Sequence, residues 1–118
     1  MHDGDAVMSG VTVSSHVLDT SLGRPAAGVA VRLERSGRDS WEPIADSVTD
    51  SDGRVARLGD GPLTPGLFRL VFGTGQYYSS RDVDSFYPEV VVSFLLDDGH
   101  YHVPLLLSPF GYSTYRGS

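Results

Sequence analysis

His100 and His102 are separated by one residue in an alternating stretch, so on a strand both imidazoles point to the same face, together with Pro104. Such a pair could hold a metal ion if a third ligand arrived from elsewhere, or one ring could act as a general base near neutral pH. The same spacing also describes two solvated histidines on an outer face. His16 falls on the outer parity of a different alternating run, among Thr12 and Ser14, where a lone histidine reads as a surface residue. Arg54 follows Asp52-Gly53 directly and reads as an arginine at the start of a strand. Asp50-Ser51-Asp52-Gly53 does not make a calcium loop, because its glycine comes two positions early and no glutamate closes the loop. The closing residues Tyr115-Arg116-Gly117-Ser118 either fray or dock, and docking would fix a guanidinium, a hydroxyl and a carboxylate at one point.

The rest of the composition narrows the chemistry further. The 118 residues include no cysteine, which removes thiolate catalysis, disulfides, zinc ribbons and iron–sulfur ligation together. All 9 basic residues are arginine, and asparagine is also absent, so there is no Schiff-base or Walker lysine and no N-glycosylation acceptor. The formal charge of −6 comes without any basic cluster, which argues against nucleic acid as a partner, since counterion release needs a basic footprint. No run of apolar residues is long enough for a membrane helix. There is no G-x-S-x-G elbow and no glycine-rich phosphate loop. Histidines, arginines, carboxylates and hydroxyls are left to carry any reaction.

Period-two alternation dominates the elements that must position these groups. Val11 to Asp19, Val29 to Glu34, Leu67 to Phe72, Pro88 to Leu96 and His100 to Ser108 read as strands, with a short edge strand at Trp41 to Ala45 demoted by Pro43. Asp52-Gly53 predicts a tight hairpin, from which Arg54 would start the returning strand. A last short strand is expected from Tyr112 to about Tyr115, and any helix belongs in Gly75 to Ser85. Short strands with a turn signal about every ten residues predict an all-β, two-sheet antiparallel sandwich of about eight strands with one short helix. Residues 1–10 read as a flexible N-terminal leader without a secretory signal, and residues 11–118 as a single domain. Lacking such a signal, a Ser-Lys-Leu ending and cysteine, the chain has a cytoplasmic location as its default expectation.

Four stretches resemble one family in order and register: 5-hydroxyisourate hydrolase, the transthyretin-related enzyme of urate breakdown. They are Ser15-His16-Val17-Leu18-Asp19-Thr20 with the following Gly-Arg-Pro-Ala, Val48-Thr49-Asp50-Ser51-Asp52-Gly53-Arg54, Phe86-Tyr87-Pro88-Glu89-Val90, and His100 to Pro109 running into Tyr115-Arg116-Gly117-Ser118. The resemblance implies a transthyretin-like sandwich assembled as a homotetramer, with active sites in channels at the dimer–dimer interface. It implies that His16, Arg54 and His102 are catalytic and that Tyr115, Arg116, Gly117 and Ser118 bind the substrate, while His100 and His2 stay outside the site. The substrate would be a small oxidised purine whose six-membered ring opens by water attack on a carbonyl, aided by histidine and stabilised by arginine, with no metal and no cofactor.

Which histidine acts as base is left open by the sequence. Transthyretin, a hormone carrier of the same fold, is the rival within the resemblance. In that carrier the positions matching His16, Arg54 and His102 hold lysine, glutamate and threonine, and the Tyr-Arg-Gly-Ser ending is missing. A binding protein for an aromatic hormone-like ligand is therefore the alternative, and a metal-dependent hydrolase using His16, His100 and His102 is a further one.

Overall fold

The computed structural model describes residues 11–59 and 61–117. In chain order the strands are β1 (Val11–Asp19), β2 (Arg24–Pro25), β3 (Ala30–Ser36), β4 (Trp41–Val48), β5 (Arg54–Val55), β6 (Gly66–Phe72), β7 (Val90–Leu96), β8 (Gly99–Ser108) and β9 (Gly111–Thr114), with one helix, α1 (Thr74–Ser79), between β6 and β7. One sheet runs β2-β1-β8-β9, with β5 also pairing to β1, and the other runs β4-β3-β6-β7. The expected all-β sandwich is present, with its helix inside the expected region save that it starts at Thr74. The leader and His2 lie outside the described residues, as does Ser118. Among the described residues no helix is long and apolar enough to cross a membrane.

Alternation decides which groups the two sheets bury. In β1 and β8 the residues Val11, Val13, Val17, Tyr101, Val103, Leu105 and Leu107 point inward, against Leu33, Phe68, Leu70 and Phe72 of the facing sheet. Each such side chain removed from water is worth roughly 1.5–3 kcal/mol, so register is strongly fixed. A one-residue slip would bury His100 and His102 in place of Tyr101 and Val103. The outer parity expected for Thr12, His16, His100 and His102 is therefore enforced by the core behind them.

Two pairings differ from the sequence reading. β1 and β8 run parallel, with Ser14 opposite His102 and Thr12 opposite His100, in a sandwich whose other ladders are antiparallel. The Asp52-Gly53 turn forms, but β5 does not return along β4. It crosses to the other sheet and pairs with β1, placing Arg54 opposite His16. The physical reason is that Asp-Gly chemistry fixes the turn and not the partner. Gly53 has φ of 73°, its carbonyl accepts from the Val17 N–H at 2.7 Å, and a Cβ at this position would collide with the Val17 carbonyl. Asp50 closes the turn by accepting from the N–H groups of Asp52 (2.9 Å) and Arg54 (3.0 Å) through Oδ1. β4 is longer than expected and, as its proline foretold, lies at a sheet edge.

The end of β1 is anchored by a buried carboxyl. Asp19 accepts from the Ser21 N–H at 3.0 Å, from the Ser21 hydroxyl at 2.5 Å and from the Tyr77 hydroxyl of α1 at 2.8 Å. Burial and this bond push the Tyr77 phenol up to about 12. Tyr77→Phe removes a donor from a carboxyl that is 1% exposed, so it should cost about 1.5–3 kcal/mol of stability, read as a lower urea midpoint. An unchanged midpoint would show that the bond carries no net stability.

Candidate active site

The outer face of the β1, β5 and β8 ladder brings three of the expected residues together. His16 stands opposite Arg54, and His102 lies one diagonal step along the sheet, opposite Ser14. Diagonal neighbours of this kind are about 7–8 Å apart, within reach of long side chains. Ser14, Ser15, Arg54, Val55, Ala56, His100 and His102 line a depression of about 330 Å³.

Ser14 and Gly117 seat His102. Its Nδ1 lies 2.7 Å from the Ser14 hydroxyl. Its backbone carbonyl accepts from the Gly117 N–H at 2.7 Å. A Cβ on Gly117 would stand only 2.7 Å from His102 Cδ2, so a side chain there would drive into the ring. The ring's Nε2 has no hydrogen-bond partner among the described residues. His102 titrates below the ordinary histidine value, first because burial disfavours the imidazolium, then because His16, His100 and Arg54 add positive charge around it. A neutral imidazole with one free nitrogen, held in place, meets the requirements of a general base.

His16 is oriented differently. Its Nε2 lies 2.9 Å from the Asp52 carbonyl oxygen, an acceptor only, so that nitrogen carries the proton and donates it. The turn that places Arg54 therefore also fixes His16. The Asp50 carboxyl is held below the usual carboxylate range by the Arg54 and Asp52 N–H groups, with the Arg54 and His16 charges assisting. It is a nearby counter-charge already committed to the turn.

Residues 115–117 divide between two places. Gly117 packs on His102, but Tyr115 and Arg116 line a separate depression of about 320 Å³, between β7 and β9. The Arg116 guanidinium lies over the Tyr101 ring at 4.3 Å. Within one chain, then, the expected substrate-binding residues do not all share a cavity with His102. His16, His100 and His102 do not gather into a metal centre. Among the described residues no group of three or more histidines and carboxylates is arranged to hold a metal ion.

The sequence reading gave Ser14 no role and left His100 outside. Ser14 is nevertheless 8% exposed and touches both imidazoles of β8, at 3.0 Å from His100 Nε2 as well as 2.7 Å from His102. Parity had placed Ser14 on the correct face. The missing signal was the parallel register, which spacing along a single chain does not encode.

A model of the HIUase/Transthyretin family matches residues 13–117. The chain belongs to this family. Among its HIUase/Transthyretin relatives is the 5-hydroxyisourate hydrolase of Salmonella dublin, 47% identical over 109 residues that cover 90% of this chain and 80% of the relative. The solved 5-hydroxyisourate hydrolase of Klebsiella pneumoniae superposes with a TM-score of 0.85 at 39% identity, covering 92% of this chain and 99% of that one. Transthyretin from Sparus aurata superposes with a TM-score of 0.78 at 31% identity, covering 89% and 95%. The fold is thus shared by proteins named as enzyme and as transthyretin, and the site must separate them.

Proposed function

We propose that this chain hydrolyses 5-hydroxyisourate, opening the six-membered ring to a ureidoimidazoline carboxylate, at the face bearing His16, Arg54 and His102. The observation that carries this reading is the oriented His102, with Nε2 unbonded, in the same depression as Arg54. Its relatives named as 5-hydroxyisourate hydrolases support it.

His102 Nε2 takes a proton from water as the water oxygen bonds to the ring carbonyl carbon. The negative charge that develops on the carbonyl oxygen is met by the planar fork of Arg54, which suits a carbonyl or imide oxygen better than a point charge would. The carbon–nitrogen bond then breaks, and the ring nitrogen takes up the proton held on His102 Nε2. His16, held by the Asp52 carbonyl, positions the substrate beside Arg54. No step requires a metal or cofactor.

Assembly completes the site in this reading. β7 and β9 are edge strands on the same side of the sandwich, with Leu95 74% and Tyr115 56% exposed. A second copy added along these edges would continue both sheets and remove their unpaired backbone groups from water. Pairing two such dimers through the outer β1–β8 faces gives a homotetramer, with the histidine faces at the dimer–dimer interface. Tyr115, Arg116, Gly117 and Ser118 then complete the substrate pocket, Gly117 by seating His102. Replacing Gly117 with alanine should lower kcat by about 10- to 100-fold, the scale of an ångström of misplacement, with little change in thermal unfolding. Full activity in Gly117→Ala would remove the seating role.

The carrier reading has the likeness to Sparus aurata transthyretin in its favour, but a face of two histidines and an arginine is built for proton transfer and oxyanion binding. Carbon NMR of freshly generated 5-hydroxyisourate incubated with the protein separates the two. The hydrolase reading expects the ring-opened carboxylate to appear ahead of a protein-free control. Saturable binding of an aromatic hormone-like ligand, with substrate signals decaying as in the control, would favour the carrier.

A further inference from the structure

Hydrolysis of an imide-like carbonyl has a consequence for protons. Water supplies a hydroxyl to the carbon and a proton to the departing nitrogen, giving a carboxylic acid and a ureido group. The acid ionises at neutral pH and the ureido nitrogen is not basic, so each turnover releases one proton net. The proton that His102 abstracts must be held while water attacks and given up when the ring nitrogen leaves.

A hydrogen-bonded chain leads away from His102. Its Nδ1 meets the Ser14 hydroxyl at 2.7 Å, the same hydroxyl meets His100 Nε2 at 3.0 Å, and His100 Nδ1 meets the Thr12 hydroxyl at 2.7 Å. His100 is exposed. Ser14 owns a single hydroxyl proton, so with both rings neutral it donates to one and accepts from the other. If His102 Nδ1–H donates to Ser14, Ser14 donates to His100 Nε2 and His100 Nδ1–H donates to Thr12, leaving His102 Nε2 with its lone pair. The reverse polarity satisfies every group equally well and puts the proton on His102 Nε2. These two polarities are the states before and after a proton has crossed.

We infer that Ser14 and His100 form, with His102, a proton relay that carries charge from the reacting centre to the exposed ring while water attacks and returns a proton when the ring nitrogen leaves. When Nε2 gains the water proton, Nδ1–H passes its proton to the Ser14 oxygen as the Ser14 proton passes to His100 Nε2. His100 becomes an imidazolium; when the carbon–nitrogen bond breaks, His102 gives its Nε2 proton to the departing nitrogen as the protons shift back along the chain, which restores the starting polarity, and the product acid releases the net proton to water. The charged surroundings favour that direction. His102 is faced by His16 from β1, by Arg54 from β5 and by His100 on its own strand, with the Asp50 carboxyl set beyond Arg54 and His16. A positive charge is therefore better placed on the exposed ring than on the inner one. Ser14 and His100 act through His102 and are positioning and relay groups.

The inference rests on the hydrolase reading, and its test keeps the two apart. His100→Ala should fold as the parent does and show a kcat lowered several-fold in dilute buffer. Raising the imidazole concentration should restore kcat toward the parent value after subtraction of the buffer-catalysed rate, whereas the parent enzyme should be insensitive to buffer. A kcat unchanged by His100→Ala, or a loss that imidazole does not restore, would overturn the relay. Nitrogen NMR of the unliganded protein needs no turnover. His102 should carry its proton mainly on Nδ1, and Ser14→Ala should shift the population toward Nε2–H. His102 as the Nε2–H tautomer in both proteins would overturn the relay even if hydrolysis is confirmed. A parent protein that does not accelerate hydrolysis would refute the enzyme reading and, with it, the relay's function, leaving the tautomer to report on the hydrogen-bond chain alone.

Discussion

His102→Asn is expected to lower kcat by about 10²- to 10⁴-fold, the range that a positioned general base contributes. Asparagine keeps a short amide able to reach Ser14 but has nothing at the position of Nε2, the ring atom left unbonded among the described residues. The loss should therefore fall on turnover with the fold intact, checked by initial rates beside a circular-dichroism melt. Substrate affinity should move much less, because the abstracted proton belongs to water. The pH profile supplies a second check. In the proposed mechanism the active form is the neutral ring, and burial together with His16, His100 and Arg54 lowers its titration below the ordinary 6.5, so kcat should hold to lower pH than a free imidazole allows and fall on the acid side of that value. An acid limb above the ordinary value, or an Asn variant with parental turnover, would show that His102 is not the base.

Arg54→Lys should cost about 10²- to 10³-fold in kcat, as removal of an oxyanion-stabilising donor does elsewhere. Both residues carry one positive charge, so electrostatic attraction alone would predict a small effect. The expected loss comes from geometry. The Arg54 backbone is fixed by the Asp50 carboxyl and by pairing of β5 with β1, which aims a planar fork into the depression that His102 also lines. Lysine offers a mobile point charge in its place. Arg54→Gln separates charge from shape, because removing a positive neighbour of His102 should raise its titration and move the acid limb of kcat upward, while Arg54→Lys should leave the limb in place. Equal limbs in all three proteins would mean that Arg54 and His102 do not share a site.

Much of the fold was legible because burial is periodic. Val11, Val13 and Val17 on one strand, and Tyr101, Val103, Leu105 and Leu107 on another, fix which side chains face out, so His16, His100 and His102 reach the outer face from alternation alone. Their mutual arrangement was not legible in the same way. The parallel pairing of β1 with β8 and the crossing of β5 to β1 depend on which distant segments meet, and Asp52-Gly53 carries the signature of a hairpin that the chain does not make. Without those pairings, His16 and Arg54 look like separate surface residues. Only the family resemblance joined them beforehand. Ser14 escaped for a related reason, since a serine on an outer face is unremarked until two imidazoles arrive on it. The segment after β9 shows the limit of a single chain, with Gly117 against His102 while Arg116 stacks on Tyr101.

The most direct measurement follows the ultraviolet absorbance of freshly generated 5-hydroxyisourate with and without the purified protein. The expected result is decay far faster than the spontaneous rate, first order in protein concentration and lost in His102→Asn. Decay at the spontaneous rate in the presence of the folded, assembled protein would contradict the assignment of this chain as a hydroxyisourate hydrolase.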